Sequence, residues 1–321
     1  AASDAARDAA RWDAIVGLGL QGALVPEARG GLGLGAADFV LIAEACGYAC
    51  LPEPLVENAS VALPLLAALA RDERASAILD RALAGEITVA LAHPANPFAA
   101  DADTAGALLA ARGDDVFLCD AADLALERQE SIDPFRRLFS IASRPCVSMA
   151  IADAAEARGA LDAALDRGAT FAAAQLVGIA QRAVDLAVAY AKERQQFGKP
   201  IGSYQAVKHL LATAQVRIEF ARPVVYAAAA QLAQGDVFSR ARVSHARLAA
   251  AEAADLACRT AVQVHGAMGY SWEVDVHFFL KRALALSSWW GDAVFHRRRV
   301  AERAFGRPLG PDTTFAAEAR G

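Results

Sequence analysis

The stretch Val188–Gln205, VAYAKERQQFGKPIGSYQ, decides how the rest of the chain is read. It starts as an amphipathic helix, breaks at Phe197-Gly198-Lys199-Pro200 and restarts after Gly202-Ser203. Proline carries no amide hydrogen and fixes its own backbone angle, so a helix cannot run through this point unaltered. Ser203 is the expected N-cap of the second helix. Arg194 and Gln195 lie just before the break, where a planar, permanently charged fork can reach out of the helix end toward a phosphate oxygen. Taken alone, the same pattern also fits a surface arginine beside a helix C-terminus.

Around this break the spacing predicts long helices. Leu176, Ala180, Ala183, Val184, Ala187 and Ala191 share one face of a helix over 176–193. A short helix is expected over 161–167. Further helices follow over 206–233, with a kink at Pro223, over 239–264, and over 280–304, interrupted at Gly291. Four long helices with short loops predict a four-helix bundle over 153–321. The basic run His296-Arg297-Arg298-Arg299 reads as a solvated face or a subunit contact.

Toward the N-terminus, residues 1–86 read as a helical domain. Helices are expected over 5–18, 37–48, 60–70 and 75–84. The glycine run from Gly30 to Gly35 lacks the spacing and the strand–turn–helix setting of a dinucleotide fingerprint and reads as a tight loop between helices. Residues 87–152 change character. Strands are expected over 87–91, 107–110, 115–119 and 137–141, with a hairpin turn at Gly113-Asp114, which makes a small central β domain. The fold class is therefore mainly α: a helical domain, a reduced β domain and a bundle.

Composition narrows the function classes. The chain has 321 residues, 55% of them hydrophobic, and a formal charge of −5, which disfavours nucleic acid as a partner. Cys46, Cys50, Cys119, Cys146 and Cys258 have no metal-ligand spacing, and their odd number suits reduced thiols in a cytoplasmic protein. No metal site is expected. No apolar run reads as long or uninterrupted enough to span a bilayer.

Arg194, Phe197, Gly198, Ile201 and Gln205 match the R-x-x-F-G-x-x-I-x-x-x-Q signature of the acyl-CoA dehydrogenase family, which this chain resembles. A second stretch, Gln263-Val264-His265-Gly266-Ala267-Met268-Gly269-Tyr270, resembles the family's Q-x-x-G-G-x-G loop, with Ala267 at its second glycine. Val25-Pro26-Glu27 and the glycines after it resemble a loop of the family's N-terminal domain. The resemblance runs over roughly 12–305. It implies FAD, shared across a subunit interface, with an acyl-CoA thioester as substrate and an electron-transferring flavoprotein as acceptor. By resemblance Arg194 contacts the FAD pyrophosphate, Phe197 packs on the flavin side, Gln205 bonds the adenosine half, and Gln263, Gly266 and Gly269 approach the ADP portion. His265 reads as a helix-end hydrogen-bonding residue.

The resemblance also exposes gaps. The family's flavin-edge motifs T-E-P-x-x-G-S-D and W-I-(T/S)-N are missing. The nearest equivalent of the first is Ala92-His93-Pro94-Ala95-Asn96, and no tryptophan lies between Trp12 and Trp272 to begin the second. The position of the usual catalytic glutamate is Trp290, and the alternative position falls near Gly168, so neither offers a proton acceptor. Three readings follow: a displaced base at Asp292 or Glu273 in a self-sufficient homodimer; a structural bundle without catalysis; or a subunit that completes the FAD site of a paralogous catalytic partner. The third fits best, because the cradle motifs are kept while the β-domain motifs are lost. It is the pattern of bacterial heterotetrameric acyl-CoA dehydrogenases that degrade steroid side-chain CoA thioesters.

Overall fold

The computed structural model describes residues 8–112, 115–142, 150–234 and 237–306. Helix α1 (Ala9–Gly17) starts at Asp8, whose carboxylate accepts the Arg11 amide at 3.1 Å. The loop through Gly30–Gly35 folds back on the segment before it, with Leu32, Gly33 and Leu34 amides on the carbonyls of Gly22, Val25 and Ala23. It is an inter-helix loop, as its spacing predicts. Helix α2 (Ala36–Tyr48) follows; α3 (Leu55–Glu57) runs through a π turn at Asn58–Ala62 into α4 (Leu63–Leu69), and α5 (Glu73–Leu83) is capped by Asp72.

The β layer contains two small sheets. In the first, β1 (Val89–Ala92), β3 (Ala107–Arg112), β4 (Asp115–Asp120) and β7 (Ala150–Ala152) lie in the order β1-β3-β4-β7, with β1 and β3 parallel. In the second, β2 (Ala99–Ala100), β6 (Leu138–Ile141) and β5 (Leu126–Gln129) lie in the order β2-β6-β5. Strands β3 and β4 pair antiparallel down to Arg112 opposite Asp115. The expected turn at Gly113-Asp114 and the cysteine Cys146 lie outside the described residues. Strands β2, β5 and β7 escape a hydrophobicity reading because they are short and, in β5, mostly polar.

Helix α6 (Ala154–Glu193) corrects the sequence reading: the two helices expected over 161–167 and 176–193 are one helix of 40 residues, about 60 Å long. Gly168 reads as a break in isolation; its surroundings in the fold require it to lack a side chain. Helix α6 is the axis of the molecule. At its crossing with α2, a β-carbon on Gly178 would stand 2.0 Å from the Glu44 carbonyl oxygen. It is also long and apolar enough by composition to cross a bilayer, contrary to the sequence reading, but two-thirds of its most apolar window is buried inside the protein. A helix covered on most sides can be apolar all round.

The hairpin of β8 (Gln195–Gln196) and β9 (Lys199–Pro200) joins α6 to α7 (Gln205–Ala230), which continues through Pro223. Ser203 is not the cap of α7. That position belongs to Tyr204, and the Ser203 hydroxyl donates to the Pro200 carbonyl at 2.8 Å, closing the turn instead. Helices α8 (Val237–His265), α9 (Val276–Ser287) and α10 (Ala293–Gly306) complete the bundle. Arg240 pairs with Asp162 at one end and Tyr190 stacks on His265 at the other, so α6 and α8 run parallel. Glu44 of α2 accepts from Arg222 at 3.0 Å and from the Tyr226 hydroxyl at 2.6 Å, locking α7 to the N-terminal helices.

Candidate functional site

Two places carry the chemistry that the sequence singles out. The first is the end of the bundle where α6 and α8 finish and α7 begins. The Tyr190–His265 stack, with centroids 4.3 Å apart and planes at 22°, pins the last turns of α6 and α8 together. Arg194 follows Tyr190 by one turn, while Gln263 and Gly266 flank His265, so the two motifs meet at this end. His265 donates from Nδ1 to the Ala261 carbonyl at 2.7 Å, which makes it a helix-end residue as read from the sequence. The hairpin is braced from within. The Ile201 amide donates to the Arg194 carbonyl at 2.8 Å, Tyr204 Oη donates to the Gln196 carbonyl at 3.2 Å, and Lys199 Nζ sits 4.3 Å from the Tyr204 ring centre.

From this braced base the motif side chains face outward. Arg194, Gln205 and Gln263 are exposed, and among the described residues the Arg194 guanidinium has no side-chain partner. Phe197 is 91% exposed and takes φ +53°, a left-handed conformation that costs a side-chain-bearing residue on the order of 1–2 kcal/mol. Gly266 takes φ +61° with open space where a side chain would stand, whereas Gly269 lies against the Val262 carbonyl, 2.5 Å from a would-be β-carbon. Open backbone, an unpaired guanidinium and a braced hairpin suit a diphosphate and its nucleoside.

The second place is the junction of the β layer, α3, α6 and the α9–α10 loop, where the chain would need its own proton acceptor. The indole of Trp290 fills it. A β-carbon on Gly168 would stand 2.3 Å from Trp290 Cδ2, so the ring lies directly over that glycine. Trp290 and Gly168, to which the sequence resemblance brings the family's base positions, thus touch each other, and neither is acidic. Trp290 is 2% exposed, with φ +62°. Three side chains hold this strained loop. Asn96 Oδ1 accepts the Trp290 amide at 2.7 Å; His296 Nε2 donates to the Trp290 carbonyl at 3.0 Å; Arg247 donates to the Leu286 and Trp289 carbonyls. His296 Nδ1 accepts from Ser244, and burial, seconded by the Arg247 charge, pushes the imidazole down to about 4.

His93 closes the other side, with its ring 5.3 Å from that of Trp290. Its Nδ1 accepts the Ala95 amide and its Nε2 donates to the Leu161 carbonyl, and burial foremost keeps it neutral by lowering its pKa. Trp289 donates its indole N–H to Glu57, beneath the Arg136 guanidinium at 4.1 Å. The cavity left beside Trp290, lined among others by Glu57, Asn58, Thr88 and Asp101, has about 20 Å³, room for one water. Asp292 is exposed and accepts the Phe295 amide at 2.8 Å, capping α10; Glu273 is exposed on the loop before α9. Among the described residues no cluster of three His, Cys, Asp or Glu side chains could hold a metal.

Residues Asn96, His296, Arg247 and Glu57 are the parts that sequence reasoning misses. Asn96 leaves a trace there, as the end of the loop that replaces a family motif. His296 reads there, with the basic run, as a solvated face or subunit contact, whereas it is 1% exposed and bonded to Ser244 and the Trp290 carbonyl. The bundle end offers the open backbone and exposed guanidinium that suit a dinucleotide cofactor, whereas the junction around Trp290 has room for about one water.

Models of the acyl-CoA dehydrogenase N-terminal and C-terminal domains match residues 1–86 and 148–305. Acyl-CoA dehydrogenase IpdE2 of Mycobacterium tuberculosis is 33% identical over 287 residues, 88% of this chain and 82% of that protein. Its Mycolicibacterium smegmatis counterpart is 31% identical, over 90% and 85%. Among solved structures, the ChsE4-ChsE5 complex of Mycobacterium tuberculosis superposes with a TM-score of 0.81 at 21% identity, covering 96% of this chain and 91% of that one. Butyryl-CoA dehydrogenase of Megasphaera elsdenii superposes with 0.80 at 21% identity, over 94% and 90%. The chain belongs to the acyl-CoA dehydrogenase family, whose members are oxidoreductases with FAD as cofactor.

Proposed function

We propose that this chain is the non-catalytic subunit of an FAD-linked acyl-CoA dehydrogenase, completing the cofactor site of a paralogous catalytic subunit. The observation that carries this reading is the contrast between its two half-sites. Of the cradle residues, Arg194, Phe197, Gln205, Gln263 and Gly266 face outward, uncovered, while Gly269 is buried beneath them against the Val262 carbonyl. The chain's own junction is filled by Trp290 over Gly168. FAD, when bound, supplies the acceptor for a hydride from the β-carbon of the thioester. Arg194 and the glycine turns would hold its diphosphate and nucleoside, and the partner would supply the ring pocket and the carboxylate that removes the α-proton. An acyl-CoA substrate, an electron-transferring flavoprotein as acceptor and a cytoplasmic setting go with this reading. Cys46, Cys50, Cys119 and Cys258 are free thiols, as a reducing compartment requires. Two relatives named IpdE2 and the likeness to a two-component complex support it.

The test is flavin stoichiometry. Purified alone, the chain should carry no flavin; co-expressed with a paralogous acyl-CoA dehydrogenase subunit, it should yield one FAD per two chains, bleached by an acyl-CoA. A full flavin complement in the isolated chain, bleached by substrate, would favour a homodimer using a displaced carboxylate such as Asp292.

A further inference from the structure

We propose that Trp290 is an internal ligand: its indole occupies a binding site for a planar bicyclic aromatic group that the fold builds and keeps closed. A residue that merely fills a core follows its local backbone, but Trp290 does the opposite. Its φ of +62° is one that side chains avoid, and it is imposed from outside. Asn96 takes the amide, His296 takes the carbonyl, and Arg247, 1% exposed, ties down the preceding Trp289 and Leu286 carbonyls. The walls also answer to the ring. Gly168 stands in mid-helix, where glycine is costly, with the indole seated where its side chain would be. His93 presents its ring to the indole at 5.3 Å and 59°, locked by two backbone hydrogen bonds. Backbone clamps from three elements, a glycine floor and an aromatic wall outline a receptor, and the remaining 20 Å³ beside it shows how closely the occupant fits.

Trp290→Ala removes the occupant while the clamps, which bind only backbone groups of Trp290, Trp289 and Leu286, remain. Apolar cavities of this origin stay able to bind aromatic molecules. In the full-length chain, Trp290→Ala should lower Tm by roughly 5–8 °C. It should then bind one equivalent of free indole by calorimetry, with a matching rise in Tm, while the natural chain binds none. If Trp290→Ala fails to fold, indole present during refolding should restore the folded yield. Indole that neither binds nor restores folding overturns the proposal, as does equal binding by the natural chain. A second variant tests the floor: Gly168→Ala should destabilise the natural chain but cost much less beside Trp290→Ala. Equal cost in both backgrounds also overturns it. Flavin content plays no part in these readings, so they stand or fall apart from the cofactor-sharing proposal.

Discussion

Asp133, in the loop before β6, and Arg282, in α9, form an ion pair whose side chains are 0% and 6% exposed. Arg282 also donates to the Leu51 carbonyl at 2.9 Å, so one guanidinium joins the β layer, the bundle and the N-terminal helices. Removing one member of such a pair strands a buried charge. Asp133→Ala should therefore cost about 3–5 kcal/mol, read as a fall in the urea midpoint. A loss below about 1 kcal/mol would mean that the junction is hydrated enough to solvate the arginine by itself.

Arg194 is the exposed cation of the cradle, with no side-chain partner among the described residues. Arg194→Ala should strip flavin from the two-subunit complex while leaving the isolated chain's Tm within about 1 °C. Arg194→Lys keeps the charge but not the fork, and should fall between the two. Unchanged flavin content in Arg194→Ala would remove this residue from the site.

Asp292 separates a cap from a base. Its carboxylate accepts the Phe295 amide, and asparagine caps as well as aspartate. Asp292→Asn should leave both stability and the turnover of the assembled enzyme unchanged, and Asp292→Ala should cost about 1 kcal/mol of stability alone. A fall in turnover of about 100-fold or more in Asp292→Asn would identify a general base and favour the homodimer.

The His296 imidazole is lowered from 6.5 to about 4, by burial first and Arg247 second. A folded-state value below the unfolded one means that the unfolded chain takes up a proton first as pH falls. Stability from this group is complete above pH 6.5 and is lost between 6.5 and about 4, to a total of about 3 kcal/mol. His93 shifts the same way. Urea titrations from pH 7 to 5 should show this decline, and His296→Gln should flatten it. An equal slope in the variant would assign the decline to other groups.

The helices, the β3–β4 pairing and both cradle motifs follow from short-range features that the sequence displays: apolar spacing, Pro200, and glycines where the backbone turns left-handed, as at Gly266. The lack of a carboxylate at 290 is equally visible, since identity at one position needs no fold to read. The continuity of α6 is not. Gly168 weakens a helix when judged by its neighbours, and only the Trp290 ring explains why it stands there. Nor does the sequence show that Asn96, Arg247 and His296 converge on one loop. Local backbone preference is written into adjacent residues. Steric fit between a ring on a loop and a glycine in a distant helix exists only once packing has brought them together.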